Sequence, residues 1–519
     1  MLLNEVPVLA AHHEPDALAL RYEHRTYTYA RLRDRCFQLS NAMMTLARPR
    51  DRVAILAENC PEYVEAYYGV PGADMALTLL NYRLTARELT FILNDSAPRV
   101  LITEPKYLPV IRQIRADIPS LKHVVLIGGT ADDVIAYDEL IERGAAEPPP
   151  VTPHEDDMAW LIYTSGTTGL PKGAMLTHRN VMASVVNALA AGWMDPDPNE
   201  VCLFMFPQFH VAGYVMPMYH LKNLPVVLLR NFDATALLRN IQTYKVTNAA
   251  IAPTMLAMLM EDPETARYDL SSLKRLGYGA SSMPAEVLRR ARERWPQIGF
   301  STGFGMTELA GNVMFMGRDD HERAATDGLE ILRSVGRQMP LSRVRVLDDQ
   351  GRDAPPGVPG EIIVKGEQVL KAYWNNPDAT RSSFVDGWFR TGDVGQWDEG
   401  GYLYIVDRKK DMILTGGENV YPRQVEEILY EHPAVAEAAV IGAPDPTWGE
   451  KVVAVIRLRE GMSADEREIV EFCRERIASY KKPRHVVFTG ELPKNASGKI
   501  LKRDLRDRIA SGEIDLGKV

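Results

Sequence analysis

YTSGTTGLPKGAMLTH, from Tyr163 to His178, is the stretch on which the reading of this chain turns. A strand-like run, Met158 to Tyr163, feeds a loop from Thr164 to Gly173 that holds three glycines, four hydroxyl side chains and Lys172. The glycines free the backbone, the hydroxyls donate hydrogen bonds and the lysine brings positive charge, a combination suited to a polyphosphate. It is not a Walker A loop. That motif needs Gly before its Lys and Ser or Thr after it, whereas Pro171 and Gly173 flank Lys172. Taken alone, the loop reads equally well as a plain turn between strands.

Outward from the loop, short β-rich runs alternate with helical patterns. Arg52 to Leu56 and Arg99 to Ile102 read as strands, Pro61 to Tyr68 and Thr85 to Leu93 as helices. Such alternation predicts α/β layers with largely parallel sheets. Gly144 to Pro153, with four prolines, reads as a surface linker. From Gly357 the texture changes to short strands and glycine turns, GEIIVKG, GWFRTGD and GYLYIVDRKKDMI, a small β-barrel-like unit ending near Asp407. Then come a helix (Arg423 to Tyr430), two strands (Val435 to Ile441, Lys451 to Leu458), a helix (Ala464 to Ser479) and a strand (His485 to Thr489), a compact α+β domain. The expected division is a large domain over 1–407, built of two α/β layers and the β-rich unit, a hinge at 408–410, and a small mobile domain over 411–519. A chain of 519 residues exceeds what one core accommodates, so more than one domain is expected on length alone.

Composition narrows the class. The apolar fraction of 46% and charged fraction of 25% are those of a globular protein. A formal charge of −9 repels a phosphate backbone, so nucleic acid is not an expected partner. Cys36, Cys60, Cys202 and Cys473 lie far apart without a CxxC pair, which points away from structural zinc and disulfides and toward a cytoplasmic setting. The first twenty residues, interrupted by Glu5, Glu14, Pro15 and Asp16, read as neither signal peptide nor anchor, and no later stretch reaches membrane-spanning length without a charge. Arg31, Arg33, Arg35, Arg48, Arg50 and Arg52 leave room for weak peripheral membrane contact, although a solvated helix face explains them as well.

The stretch Tyr163 to His178 is similar to the signature of the adenylate-forming superfamily, which includes acyl-CoA synthetases, adenylation domains of peptide synthetases and beetle luciferases. Seven further motifs follow in the family's order: FPQFHVAG (206–213), GYGASSMP (277–284), GFGMTE (303–308), GWFRTGD (387–393), DRKKDMI (407–413), GGENVYP (416–422) and PKNASGKI (493–500). LNYRLTARELTFILNDS (80–96) resembles the acyl-CoA synthetase branch.

The resemblance implies an ATP- and Mg²⁺-dependent enzyme that makes an acyl-adenylate from a carboxylic acid and then a thioester with coenzyme A. Thr164, Ser165, Gly166, Thr167, Thr168, Gly169 and Lys172 would embrace the β- and γ-phosphates. Glu308 would hold Mg²⁺, an oxygen ligand for a hard cation, and Thr307 would contact the α-phosphate. Gly279, Ala280 and Ser281 would border the adenine, with Phe304 stacking on it where many relatives carry Tyr. Asp393 and Arg408 would take the ribose, and Lys499 would serve adenylation as a mobile cation. Lys410 matches the hinge about which the small domain turns for the second step, in which Gly416, Gly417 and Glu418 line the thiol's approach and Lys481 and Lys482 contact coenzyme A phosphates.

The same match places the acyl pocket near His210, Gly213, Tyr278, Gly303 and Gly305. Small residues at 303 and 305 are expected to leave space for a chain, and Met216, Met218, Met306, Met314 and Met316 to line an apolar tunnel. That favours a medium- to long-chain fatty acid, with an aromatic or branched acid as the alternative. Loading of a carrier protein, oxygenation of the adenylate, and a non-catalytic adenylate-binding protein stay open at this point.

Overall fold

The computed structural model describes residues 1–164, 171–194, 197, 199–279, 283, 285–327, 329–408, 411–415, 418–446, 448–494 and 500–514. Its large N-terminal domain is built on two wide sheets. In the eight-stranded sheet, Arg52–Leu56 runs parallel to Ala76–Leu79 and Val100–Thr103, and Ala76–Leu79 pairs in turn with Met158–Thr164. These strands are near-continuous apolar runs because helices cover both faces, as parallel sheets require. Lys172–Thr177 and Ala372–Tyr373 close one edge antiparallel.

The nine-stranded sheet follows the same rule. Cys202–Phe204, Val226–Leu228, Asn248–Ile251, Arg275–Tyr278 and Gly299–Met306 are parallel neighbours, and the antiparallel Gly311–Met316 lies beyond the last of them. One continuous core joins the two sheets, with Val53 and Trp160 from one and Val226 and Leu228 from the other. The β-rich unit is a five-stranded antiparallel sheet in which Trp388–Trp397 pairs with Gly360–Lys365, Phe384–Val385 and Leu403–Arg408.

The small C-terminal domain rests on the long hairpin Val435–Asp445/Gly449–Leu458, with His485–Phe488 parallel to its second arm. Strand alternation sends Val440, Ala454 and Ile456 to one face, under Leu429 and Ile469, and Ala439, Ile441 and Val455 to the other, under Leu505. The expected helix 464–479 is shorter, Glu466–Arg474. Ile477 keeps the apolar spacing, but the Cys473 carbonyl accepts from both the Arg476 and Ile477 amides, tightening and ending the last turn.

The segment read as a linker is pinned: Asn41 donates to the carbonyls of Ala145 and Glu147, both at 2.9 Å. Of the six arginines near the N-terminus, Arg35 pairs with the buried Glu65 and Arg52 donates to the Ser96 and Ala97 carbonyls, so at least these two serve the fold. Among the described residues no helix is long and apolar enough to cross a membrane.

Candidate active site

Thr164 and Lys172 stand directly opposite each other across the hairpin Met158–Thr164/Lys172–Thr177, so their register closes the mouth of the loop expected to hold phosphate. Its interior, Ser165, Gly166, Thr167, Thr168 and Gly169, lies outside the described residues. The hairpin is held from outside. Trp374 donates its amide to the Gly173 carbonyl at 2.7 Å and its indole N–H to the Asp95 carbonyl at 2.9 Å, while the Tyr163 hydroxyl donates to Asp95 Oδ2 at 2.5 Å.

Glu308 reaches the same mouth from 144 residues away. Its Oε1 accepts from the Thr164 hydroxyl at 3.2 Å and from the Tyr373 hydroxyl at 3.1 Å. Lys172 Nζ lies 5.4 Å from the centroid of the Tyr373 ring, within cation–π range. One side chain, Tyr373, thus links the cation beside the loop to the carboxylate. Burial, together with the Glu308 charge, pushes its phenol far above the ordinary tyrosine range, so it stays a donor.

The one-turn helix Thr307–Leu309 that carries Glu308 is fixed by a buried amide. Gln368 donates from Nε2 to the Leu309 and Asn312 carbonyls at 2.8 and 2.9 Å. Its Oε1 accepts from Asn187 at 2.7 Å and from the Ser342 hydroxyl at 3.2 Å. Asn187 lies on His178–Ala190, the helix that follows the phosphate hairpin, so the network ties loop and Glu308 turn together. Neither Tyr373 nor Gln368 carried a signal in the sequence: each is an isolated polar residue outside the quoted motifs.

Gly279 follows the strand Arg275–Tyr278, and no atom of the described residues lies within 4 Å of where its Cβ would stand. Ala280 and Ser281 are outside the described residues. Phe304 is half-buried against the main core. Asp393 is buried and pairs with Arg408 across adjacent strands. The backbone therefore brings the two expected ribose contacts to one level.

The expected acyl residues divide. His210 precedes the turn Val211–Tyr214; its Nε2 is buried without a hydrogen-bond partner among the described residues, and burial holds its pKa near 4, so the ring is neutral. Gly213 has a packing reason to be glycine, because its Cβ would collide with the Tyr67 hydroxyl. Tyr278 is buried with its hydroxyl 2.9 Å from His321 Nε2. Gly303 and Gly305 do not open a channel on their Cβ side. The Cβ of Gly303 would lie 2.7 Å from the Met314 carbonyl oxygen, and that of Gly305 would strike the backbone of Gly311, so both glycines let Gly311–Met316 approach. Met216, Met218, Met314 and Met316 have no accessible surface, whereas Met306 is half-buried. Four of the five expected tunnel methionines are therefore core.

In the small domain, Glu418 begins the strand Glu418–Val420 and is exposed. Lys481 donates to Gln424 at 2.8 Å and Lys482 is half-buried. Lys410, Gly416, Gly417 and Lys499 lie outside the described residues. Among the described residues no three His, Cys, Asp or Glu side chains gather as a metal cage. Magnesium does not need one, since it keeps waters and substrate phosphates and takes one or two carboxylates. Glu308, beside the phosphate loop, fits that donor set.

The model of the AMP-binding enzyme matches residues 9–374, and that of the AMP-binding enzyme C-terminal domain matches residues 424–499. The chain belongs to the AMP-binding enzyme family. This AMP-binding enzyme is 39% identical over 510 residues to a feruloyl-CoA synthase of Amycolatopsis sp, covering 98% of this chain and 99% of that one. It is 36% identical over 494 residues to a long-chain-fatty-acid–CoA ligase of Mycobacterium tuberculosis, covering 93% of each. The solved o-succinylbenzoate CoA synthetase from Bacillus subtilis, in complex with its acyl-adenylate intermediate, superposes with a TM-score of 0.84 at 31% identity over 99% of both chains. The AMP-binding enzyme described here stands in the acyl-CoA synthetase branch of the adenylate-forming superfamily, as the motifs predicted, and is an AMP-forming acid–CoA ligase.

Proposed function

We propose that this ligase works through two faces of its small domain (411–519), which turns on a hinge at 408–410 against a large domain (1–407) that holds ATP and the acid. The observation that carries the reading is the meeting of Thr164 and Lys172 with Glu308 through Tyr373. In the first step a carboxylate oxygen bonds to the α-phosphorus, the bond from that phosphorus to the bridging oxygen breaks, and pyrophosphate leaves. Alignment and charge neutralisation are the protein's share of such a reaction.

Lys172 and the loop hydroxyls face the departing pyrophosphate, Thr307 the α-phosphate, and Lys499 the junction of carboxylate and phosphate. Asp393 and Arg408 hold the ribose; Gly279, Ala280, Ser281 and Phe304 border the adenine. Glu308 would hold Mg²⁺, which when bound supplies positive charge to the phosphate oxygens. In the second step the thiol sulfur of coenzyme A bonds to the acyl carbon and AMP leaves. Gly416, Gly417 and Glu418 line that approach, with Lys481 and Lys482 near the phosphates of coenzyme A.

For the acid, the fatty chain expected from the sequence leaned on a methionine tunnel, and the packing of Met216, Met218, Met314 and Met316 withdraws that support. An aromatic acid is therefore favoured, in keeping with the relative named for feruloyl-CoA. The test mixes enzyme, ATP, Mg²⁺ and coenzyme A with an acid panel and measures nucleotide and thioester products. AMP, pyrophosphate and thioester in equal amounts are expected; ADP with orthophosphate would overturn the reading.

A further inference from the structure

The helix Pro422–Glu431 has two faces. Val425 and Leu429, one turn apart, are buried in the core of the small domain. Arg423, Glu427 and Glu431 recur at the same four-residue spacing and form a second stripe along the helix. Each residue of that stripe meets a group of the large domain. The Arg423 amide donates to Asp407 Oδ2 at 2.9 Å, while Glu427 and Glu431 lie 3.8 and 3.5 Å from the Arg333 guanidinium.

Its own domain leaves both ends of this helix incomplete. Tyr421, at the N-cap, makes no side-chain cap bond among the described residues, and no acid stands in the first turn. The orphan amides and partial positive charge of a helix start call for an acceptor, best of all an anion. Asp407 supplies one from across the hinge. It is buried on the strand Leu403–Arg408, where it is the register partner of Val394 in the β-rich unit. At the other end Glu431 stands in the last turn, where the helix dipole disfavours an acid, and Glu427 one turn earlier repels it. Within the small domain only the Arg423 side chain, 3.3 Å from Glu427, relieves that pair among the described residues. Arg333 relieves both acids from the large domain.

Asp407 and Arg333 share one frame. Arg333 ends the turn Leu329–Arg333, and the chain just after it is joined to the Asp407 strand: the Val335 amide donates to the Leu403 carbonyl at 2.8 Å, and the Leu403 amide to the Gly336 carbonyl at 2.9 Å. On the small-domain side, Lys502 pairs with Glu426 of the same helix at 2.8 Å. The helix Lys502–Ala510, which opens three residues after Lys499, is thereby tied to Pro422–Glu431. A turn of the small domain about 408–410 parts Pro422–Glu431 from its cap and from Arg333 at once.

We propose that Asp407 and Arg333 are positioning residues that latch the small domain, through the helix Pro422–Glu431, in the orientation described here, and so set how the chain divides between its two half-reactions. The inference rests on the domain alternation proposed above.

The test uses the purified full chain with a dye pair on Gln350→Cys and Glu475→Cys, exposed positions in the large and the small domain; the four native cysteines are buried. Single-molecule energy transfer between the dyes reads the population of each orientation. The wild type is expected to show two populations, one of them at the separation of this structure. Arg333→Glu is expected to lower that population against the other by about fivefold. Adding Glu431→Arg is expected to restore it, a rescue that a merely structural role would not give. Asp407→Ala is expected to lower it by about tenfold or more, and Asp407→Asn, which keeps an acceptor, by less. Pyrophosphate release reads the first half-reaction, and thioester formation from supplied acyl-adenylate reads the second. One of the two is expected to slow against the other, in the same direction in Arg333→Glu and Asp407→Ala. Folding is checked by thermal melting, and the partly exposed Arg333 keeps the test open if Asp407→Ala folds poorly. Unchanged populations in the folded variants, no rescue by Glu431→Arg, or an unchanged ratio of half-reactions overturns the latch and leaves the alternation standing. A single population in the wild type under every combination of ATP, acid and coenzyme A overturns both.

Discussion

Glu308 and Tyr373 divide one task unequally. Glu308 offers the carboxylate beside the phosphate loop, whereas Tyr373 only donates to it and lies under Lys172. Glu308→Gln is expected to keep the fold and lower turnover by about 10²-fold or more, the loss typical of one preorganised electrostatic group; a fully active variant would overturn the magnesium-holding role proposed for Glu308. Tyr373→Phe removes one hydrogen bond to a charged partner, worth roughly 1.5–3 kcal/mol, so a loss of about ten- to a hundredfold is expected. That loss should come with a raised requirement for Mg²⁺, read from magnesium titrations; unchanged magnesium dependence would reduce Tyr373 to a packing residue. Glu308 was legible in the sequence because GFGMTE is a local motif. Tyr373 was not, since its role exists only once Ala372–Tyr373 pairs with Lys172–Thr177, a contact across some two hundred residues that no local pattern encodes.

Elements were legible where burial imposes a period and illegible where a contact ends them. Arg52–Leu56 matches its expected bounds because its apolar run is buried on both faces. Gly303 and Gly305 show the complementary difficulty. A glycine that admits a substrate and one that admits a neighbouring strand look alike in sequence, and only the pairing with Gly311–Met316 tells them apart. The buried Gln368 joins the helix after the phosphate loop to the Glu308 turn, and its nitrogen satisfies two carbonyls. Gln368→Leu keeps the volume but leaves those carbonyls and one N–H of the Asn187 amide unpaired, its other N–H still donating to the Ser342 hydroxyl at 2.8 Å, at a cost of ~1–3 kcal/mol per group. The variant is expected to melt several degrees lower and to lose activity more steeply than stability, because the turn holding Glu308 loosens. Equal melting temperatures and equal turnover would show that backbone pairing alone holds the turn.

Across the whole molecule, buried imidazoles set the acid limit. Burial holds His178, His220 and His321 near pKa 4, and in each a ring nitrogen is placed beside a donor: the Leu3 amide, the Tyr68 hydroxyl and the Tyr278 hydroxyl. Below about pH 6.5 the unfolded chain binds protons that the folded chain refuses, so stability falls as pH drops toward 4, by roughly 3 kcal/mol per group at the lower end. The melting temperature is expected to fall from pH 7 to pH 5, and less so in His321→Asn; a flat profile would count against neutral buried rings. Between the domains, the Arg423 amide donates to the buried Asp407 at 2.9 Å, and ion pairs lie beside it. Arg333 reaches Glu427 and Glu431 at 3.8 and 3.5 Å, and Arg459 reaches Glu261 at 3.3 Å, all partly exposed pairs. Such exposed pairs contribute about 0–1 kcal/mol each. In the alternation proposed above, Lys499 serves one half-reaction and Gly416 to Glu418 the other. Lys499→Ala is therefore expected to abolish acyl-adenylate formation yet convert supplied acyl-adenylate and coenzyme A to thioester. Lys410→Pro is expected to do the reverse, since proline fixes φ near −65° and restricts the residue before it, holding a two-state hinge in one state. The check assays each half-reaction separately in both variants, with folding confirmed by thermal melting; equal loss of both half-reactions in two folded variants would overturn the alternation.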